Sequence, residues 1–282
     1  MPVLYIVSTP IGNLEDITLR ALRVLREVGM IAAEDTRVTR KLLSHYDIHS
    51  RLTSFNEHNQ SARLPELLTI LQANDVALVC DAGTPGVNDP GRALVQSASD
   101  KGIEVVVIPG ASAVTSAVAV SGLVEEAFFY LGFLPRKKGE RKALLASLAL
   151  ENRPTISFES PRRLQQSLKD ILETIGDRRI AVCREMTKLH EEVFRGTVSE
   201  AIEHFEQPRG EFTLVIEGKA TGKQDDTDAE ELALSLLDGL RVQGAGARHA
   251  VEHVTAVTGL SRRQVYRMWL DGIASTHHSG TQ

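Results

Sequence analysis

The sequence has few of the features that mark secreted, membrane or metal-dependent proteins. Its 282 residues include only two cysteines, Cys80 and Cys183, each inside an apolar strand-like run. This excludes a disulfide framework and fits a reducing cytoplasm. No apolar run approaches the length of a membrane span, and the N-terminus lacks a signal-peptide pattern, so we expect a cytoplasmic protein with no membrane partner. The nine histidines show no ligand spacing such as HExxH, and we predict no bound metal.

Positive charge is also scarce. A net charge of −5 excludes a protein that coats nucleic acid by diffuse attraction, although local basic patches remain open. Three such patches stand out, at residues 136–141 (within the loop PRKKGERK), 162–163 and 262–267. Each could contact phosphate or could simply be a solvated surface.

Residues 75–113 contain two consecutive strand–loop–helix units. The apolar runs at 76–80 and 103–108 have the length and β-branched content of buried parallel strands. The Gly- and Pro-containing loops DAGTPGVNDPG (81–91) and PGASA (109–113) follow them, and the first apolar run, residues 3–9, leads into PIGN in the same way. Ligands of open α/β sheets bind at the carboxyl ends of strands. We therefore expect a ligand site here, although each loop alone could be only a turn.

The rest of the chain predicts an α/β protein of several parts. Strand and helix alternate regularly through residues 1–121, which predicts a parallel sheet with helices on both faces and residues 3–9 as a central strand. Closer-spaced strands at 122–222 predict a second α/β domain with a mixed sheet. The polar stretch 221–228 reads as a linker, residues 229–274 as a helical module of helix-turn-helix type, and 275–282 as a disordered tail.

Polar residues stand directly after two of the early strands. Glu34, Asp35 and Arg37 follow the strand at 30–33, and the segment NEHN follows the one at 51–54. A strand exit fixes the direction of a side chain better than a long loop does, which favours a functional role. Asp35 could equally be only the N-cap of the next helix.

Eight motifs in fixed order identify a family. They are STPIGNLEDIT, AAEDTR, NEHN, DAGTPGVNDPG, PGASA, SFESPRR, REMTKLHEE and GEFTLVIEG, and they extend over nearly the whole chain. Together they resemble the bacterial ribosomal RNA small subunit methyltransferase I family, in the tetrapyrrole-methylase-like, class III group of S-adenosylmethionine (SAM) methyltransferases. The resemblance implies a homodimer of two-domain α/β subunits, SAM in the cleft between the domains, and 2′-O-methylation of a cytidine ribose in the decoding region of 16S ribosomal RNA.

The same resemblance implies the cofactor contacts. They are Pro10, Gly83, Thr84, Val87, Ser112, Ala113, Phe158 and Leu214. One departure concerns Thr84, because relatives that act on small molecules often carry an acid there. We therefore expect hydroxyl and backbone contacts to SAM at this position. The chain also lacks the GxGxxG fingerprint of dinucleotide folds.

Methyl transfer to a ribose oxygen needs alignment of the reactants and a group that takes the hydroxyl proton. Our first candidates are Asp35 and Lys188, followed by His58, and the other acids at strand exits are Glu34, Glu159 and Glu185. Lys188 could act as a base only with a depressed pKa; otherwise it would hold phosphate or the developing oxyanion. The expected contacts to the small-subunit RNA are Arg37, Asn56, Asn59, Arg136, Lys137, Lys138, Arg162, Arg184, Arg262 and Arg263.

Two other functions are compatible with parts of this pattern. A class III methyltransferase for a small tetrapyrrole or a protein side chain would have similar sheet motifs, but it would not need NEHN, PRKKGERK or the basic C-terminal helix. A nucleic-acid-binding protein without enzymatic activity would leave the three Gly/Pro loops unexplained.

Overall fold

A computed structural model describes residues 2–87, 91–219 and 223–278 of the chain. The described part contains ten β-strands and eleven α-helices. The chain divides into two compact units, Met1–Lys219 and Ala220–Gln282, and both predicted α/β sheets lie in the first. The predicted boundary between residues 121 and 122 lies between the two sheets and stays a prediction.

The first sheet is parallel, as predicted, with the strand order β3-β2-β4-β1-β5. Its strands are β1 (Val3–Val7), β2 (Met30–Ala33), β3 (Leu52–Ser54), β4 (Val76–Val79) and β5 (Glu104–Ile108). The helices that follow them are α1 (Leu19–Glu27), α2 (Thr36–His45), α3 (Gln60–Ile70), α4 (Gly91–Asp100) and α5 (Ala113–Ser121). Strand β1 lies inside the sheet, which confirms the prediction for the first strand.

Apolar cores on both faces hold this sheet between its helices. On one face Ile31 of β2 packs with Leu25 of α1 and with α2. On the other face the next residue of β2, Ala32, packs with Leu67 of α3 and Leu94 of α4. Successive residues of a strand point to opposite faces, so a wholly apolar strand can serve both cores.

Strand β5 corrects one expectation. The apolar run at 103–108 predicts a buried strand, yet β5 lies at the sheet edge and Val107 is 56% exposed. An apolar run shows that a strand can be buried, but its place in the sheet depends on the order in which strands pair.

The second sheet is mixed, as predicted, with the order β6-β7-β10-β8-β9. Strands β6 and β7 are parallel and the other pairs are antiparallel. The strands are β6 (Phe129–Phe133), β7 (Thr155–Glu159), β8 (Arg179–Arg184), β9 (Glu192–Thr197) and β10 (Phe212–Ile216), and the helices are α6 (Lys138–Ser147), α7 (Pro161–Ile175) and α8 (Val198–His204).

Helix α5 connects the two sheets. It follows β5 of the first sheet, but its Ala117 packs with Ile156, Ala181 and Val215 on one face of the second. The opposite face is covered by α7, whose Leu168 lies in another core. Because α5 starts at the β5 loop, its packing fixes that loop next to the second sheet.

The second unit consists of α9 (Lys223–Val242), α10 (Ala247–Thr258) and α11 (Arg262–His278) around its own apolar core, which includes Leu237, Val254 and Trp269. Two boundaries differ from the expectation. The predicted linker at 221–228 is helical from Lys223, and the predicted disordered tail is helical as far as His278, while residues 220–222 and 279–282 lie outside the described residues. Polarity alone does not exclude a helix in a stretch without proline or glycine, such as 223–238. None of the described helices is long and apolar enough to cross a membrane.

Candidate active site

The three Gly/Pro loops that the sequence singles out are tied together at one edge of the first sheet. The backbone N–H of Ser8, after β1, donates to the carbonyl of Ile108, at the end of β5, at 3.1 Å. Thr9 and Gly83 exchange two backbone hydrogen bonds, at 2.8 and 3.1 Å, which joins the β1 loop to the β4 loop. The hydroxyls of Ser8 and Thr84 lie 2.9 Å apart. The loops therefore form one rigid rim.

This rim lies where the helices that follow two neighbouring strands run to opposite faces of the sheet. Strands β1 and β4 are neighbours, but the helices that follow them, α1 and α4, cover opposite faces. Such a divergence leaves a crevice outside the carboxyl ends of the strands, which is where open α/β sheets bind ligands. Gly83 in this crevice has φ +84°, a left-handed conformation that favours glycine.

A cavity of about 590 Å³ opens at the crevice and extends to the second sheet. This volume is within the range of small-molecule sites. Of the eight predicted cofactor contacts, six line it: Gly83, Thr84, Val87, Ser112, Ala113 and Phe158. The second sheet and its loops contribute other residues, among them Phe133, Met186 and Thr213. The structure thus brings most of the predicted cofactor residues to one place.

The other two predicted cofactor contacts lie elsewhere. Pro10 lines a smaller, neighbouring cavity. Leu214 is fully buried in the core beneath α7, and it is the preceding residue, Thr213, that lines the larger cavity. Side chains alternate between the two faces of a strand, so Leu214 points to the face opposite the one from which Thr213 reaches the cavity.

The larger cavity has an acidic lining. Glu34, Asp81, Glu159 and Glu211 line it, and its described lining residues include no lysine or arginine. Glu159 is neutralised within the protein, because its fully buried carboxylate contacts Arg163 at 2.6 Å and accepts hydrogen bonds from the Ser160 N–H and the Ser167 hydroxyl. This predicted proton acceptor therefore has a structural set of partners within the protein.

A second cavity of about 460 Å³ adjoins the first and differs from it in charge. Both are lined by Ile11, Cys80, Asp81, Ala82 and Glu211. Beyond this common wall the smaller cavity has two cations, Lys41 and Lys188.

Lys188 is held as a cation. Its Nζ donates to Glu185 at 2.9 Å and to Glu211 at 2.8 Å. Burial alone would lower the pKa of Lys188, but the hydrogen bonds to Glu211 and Glu185 outweigh that effect and raise it. A lysine with a raised pKa is a poor proton acceptor and a good partner for an anion. Of the two roles expected for Lys188, the geometry favours the second.

Asp35 is the N-cap of α2. Its Oδ1 accepts the backbone N–H of Arg37 at 2.8 Å, and its Oδ2 contacts the Arg37 guanidinium at 2.6 Å. The hydrogen bond from the Arg37 side chain, followed by that from its backbone, lowers the pKa of Asp35 to about 2. Asp35 lines neither cavity, and neither does His58, an exposed residue in the loop after β3. The structure does not bring these two candidates to the cavities.

Several predicted RNA contacts have partners within the protein. Asn56 and Asn59 form a local turn in which Asn59 Oδ1 accepts the Asn56 N–H at 2.9 Å. Arg184 donates to the carbonyl of Arg209 at 2.7 Å and to Glu192 at 3.1 Å. Exposed on the surface are Arg37, Arg136, Lys137, Lys138, Arg162, Arg262 and Arg263.

The basic patch expected at residues 136–141 is exposed only at residues 136–140. Arg141 is only 3% exposed, and its guanidinium contacts the buried carboxylate of Asp170. It also donates to the carbonyls of Pro135 and Arg136 at 3.0 and 3.2 Å. The expectation that Arg141 is available to RNA was wrong, because a helical position that faces α7 is interior whatever its charge.

Sequence reasoning missed two acids at the centre of the site. Asp81 opens the β4 loop and Glu211 precedes β10, and both line both cavities. The signal for Asp81 was present, since an acid directly follows an apolar strand. Across the described residues there is no group of three or more His, Cys, Asp or Glu side chains that could hold a metal ion.

Comparisons with known proteins agree with this geometry. The family model of the Tetrapyrrole (Corrin/Porphyrin) Methylases matches residues 3–202. The chain is 57% identical to the ribosomal RNA small subunit methyltransferase I of Thermotoga maritima, over 78% of this chain and 100% of that protein. It is 45% identical to the protein of the same name from Synechocystis, over 96% of this chain and 98% of that one. The chain belongs to the ribosomal RNA small subunit methyltransferase I family. This confirms the family that the eight motifs predict.

Solved structures of more distant members of the methylase group have the same fold. A cobalt precorrin-4 methyltransferase of cobalamin biosynthesis gives a TM-score of 0.58 at 17% identity, covering 76% of this chain and 94% of that one. The uroporphyrin III C-methyl transferase from Thermus thermophilus gives 0.56 at 18% identity, covering 76% and 97%. These likenesses concern the fold alone. They confirm the architecture of two α/β sheets.

The match to the Thermotoga maritima member also bears on the second unit. The matched stretch is 222 residues long and spans the whole of that relative. The first compact unit of our protein, Met1–Lys219, has a similar length. At least one family member is therefore about as long as the unit that contains both sheets and both cavities.

Proposed function

We propose that this protein transfers a methyl group from SAM to the 2′-oxygen of a cytidine ribose in the decoding region of 16S ribosomal RNA. The family is one of ribosomal RNA methyltransferases that use SAM. The observation that carries the proposal for this chain is the larger cavity. It is lined by four carboxylates, of which Asp81 forms no ion pair with the described residues, and by no lysine or arginine among its described lining residues. Such a lining favours a ligand with a sulfonium and an ammonium group over an anionic nucleotide.

The residues of this cavity fit the parts of SAM. Gly83 has no side chain and leaves room for a ligand beside the backbone, while the hydroxyls of Thr84 and Ser112 can form hydrogen bonds. Phe133 and Phe158, whose rings lie edge to face at 5.5 Å, offer apolar surface for an adenine ring. SAM supplies an electrophilic methyl group when it is bound. The protein would hold and align it.

The RNA substrate would be held by localised cations. Exposed residues suited to phosphate are Arg136, Lys137, Lys138 and Arg162 in the first unit and Arg262 and Arg263 in the second. A chain of net charge −5 cannot depend on diffuse attraction, so we expect a folded RNA region or an assembled subunit as substrate, and not free cytidine. The homodimer and the cytoplasmic location that we expect from the sequence stay predictions.

Calorimetry with SAM tests the cofactor site. Gly83→Val should weaken SAM binding at least about tenfold, because the branched side chain enters the cavity wall and disfavours φ +84°. Gly102→Val is the matched control. Gly102 has φ +69°, and a Cβ added there would meet no atom within 4 Å, so this variant carries the backbone strain without affecting the cavity. Equal SAM affinity of the two folded variants would contradict this placement.

Incubation with labelled SAM tests the substrate. The protein should methylate small ribosomal subunits or 16S RNA that lack the modification, and digestion should place the label on a cytidine 2′-oxygen. Label on an added tetrapyrrole or protein, with none on RNA, would favour the alternative class III activity instead.

A further inference from the structure

The wall between the two cavities contains two ionisable residues, Asp81 and Glu211. If the larger cavity holds the methyl donor, an acceptor in the smaller cavity would meet it at this wall, and methyl transfer needs the donor carbon and the acceptor oxygen in line and in contact. The inference therefore rests on the proposed function. It concerns where the acceptor binds and which group takes its proton.

The smaller cavity has the chemistry of a nucleotide site. Lys41, which forms no ion pair with the described residues, gives it positive charge that suits a phosphate, while the charge of Lys188 is shared with Glu185 and Glu211. Its wall also includes Thr39, which is only 3% exposed and whose hydroxyl has no hydrogen-bond partner among the residues that the structure describes. A buried hydroxyl without a partner costs free energy unless a ligand or water satisfies it. The cation of Lys41 suits an anionic group, and the hydroxyl of Thr39 suits any polar atom of the same occupant.

The two acids of the common wall differ in their partners. The carboxylate of Glu211 is already paired with Lys188 at 2.8 Å. Asp81 forms no ion pair with the described residues, and only its Oδ1 accepts a hydrogen bond from them, from the backbone N–H of Asp35 at 3.0 Å. The second oxygen of Asp81 is therefore available to a hydroxyl in the cavity.

Asp81 is also held in place. Its backbone N–H donates to Glu34 at 3.3 Å. The preceding residue, Cys80, accepts a hydrogen bond from the Thr9 hydroxyl at 3.0 Å. Together with the Asp35 N–H, these contacts fix the carboxylate from two neighbouring loops. A proton acceptor needs such fixed geometry within hydrogen-bond reach of its donor.

We propose that the smaller cavity binds the acceptor nucleotide and that the carboxylate of Asp81 takes the proton of its ribose 2′-hydroxyl. The ribose oxygen forms a bond to the methyl carbon as the carbon–sulfur bond breaks, and the electron pair of that bond stays on sulfur. The sulfonium becomes the neutral thioether of S-adenosylhomocysteine. The hydroxyl proton passes to Asp81 and then to water, so charge and atoms balance without a further reactant.

The surroundings of Asp81 agree with this role. Burial raises the pKa of Asp81; the hydrogen bond from the Asp35 N–H opposes the rise, and the Asp35 charge adds to it. Glu34 and Asp35 face it from the β2 end and Arg37 from α2. Lys41, Lys188 and Glu211 line the same smaller cavity. A raised pKa makes the carboxylate a better proton acceptor than Asp35, whose pKa is about 2.

The first test is Asp81→Asn, which keeps the side-chain shape and an oxygen for the Asp35 N–H but cannot take the proton. Single-turnover methylation of unmodified small subunits should slow by about 10²–10⁴, with SAM affinity by calorimetry unchanged. The wild-type rate should fall as pH decreases through the pKa of Asp81, and the variant should lose this dependence. Asp35→Asn is the matched control. It keeps the Asp81 carboxylate and should therefore retain a pH dependence, displaced to lower pH because the Asp35 charge no longer raises the pKa of Asp81.

A second variant guards against a folding defect. Asp81→Ala should be inactive and partly rescued by added formate, which a structural defect would not be. Lys41→Ala should raise the KM for subunits about tenfold or more at unchanged SAM affinity. Full activity of Asp81→Asn, or loss of activity in Asp35→Asn instead, would overturn the assignment while wild-type methylation still supported the proposed function. A wild-type protein that methylates no RNA would refute the proposed function itself.

Discussion

Arg141 allows a quantitative test of how the interior of the first unit is stabilised. Its side chain is 4% exposed and that of its partner Asp170 is 1% exposed, so both charges are removed from water. Nε of Arg141 donates to Asp170 at 2.8 Å, and the remaining guanidinium donors serve Asp170 and the carbonyls of Pro135 and Arg136. Arg141→Met would fill similar space but leave the Asp170 carboxylate buried without its counter-charge.

The expected loss in the free energy of unfolding is about 3–5 kcal/mol, the usual cost of breaking a buried ion pair on one side. Replacing both partners, as Arg141→Met with Asp170→Leu, should recover much of this loss, because no charge is then left buried. The effect should persist in about 1 M NaCl, since buried pairs are screened much less than exposed ones.

Urea denaturation followed by circular dichroism measures the difference, with linear extrapolation to water. Fluorescence is less suitable because the single tryptophan, Trp269, lies in the second unit. Lys138→Met is the matched control: Lys138 is exposed, so its replacement should change stability by no more than about 0.5 kcal/mol. A loss below about 1 kcal/mol for Arg141→Met, or a double variant no more stable than the single one, would refute the reasoning.

Two other predictions follow from burial and from the division of the chain. Burial raises the pKa of Cys183 to about 11, and the residue is 1% exposed. Iodoacetamide at about pH 8 should therefore label Cys183 in unfolded but not in native protein, as measured by mass spectrometry of its peptide. Rapid labelling of native protein would contradict this. A chain that ends at Lys219 should retain its fold and SAM affinity but bind small-subunit RNA more weakly, because it loses the exposed Arg262 and Arg263. Equal losses of SAM and RNA binding would mean that the second unit supports the catalytic fold instead.

The elements themselves could be predicted from the sequence. Apolar runs at 3–9 and 76–80 contain β1 and β4, and the helical spacing of leucines after residue 18 matches α1. The buried face of a helix or strand produces a regular spacing of apolar residues in the sequence, and Gly/Pro loops at strand ends indicate where the backbone turns. Six of the eight predicted cofactor residues come from such loops or strand ends and line one cavity.

Residues whose role depends on a distant partner could not be predicted. Arg141 and Lys138 look alike in the sequence, yet only Arg141 faces the buried Asp170 on α7. Lys188 and Asp35 are both polar residues after strands. Lys188 lines a cavity and contacts two acids, whereas Asp35 lines neither cavity and caps helix α2. These differences depend on which elements pack together.

The sequence by itself determined the family, the alternation of strands and helices, and the rim of three glycine-containing loops, because each depends on neighbouring residues or on a fixed order of motifs. Only the tertiary structure decided that β5 is an edge strand, that α5 packs on the second sheet, and that Asp81 lies in the wall between two cavities of different charge. The physical reason is that strand order and the packing of α5 bring together residues far apart in the chain, and the partners that each acid meets there distinguish Asp81 from the other acids at strand ends.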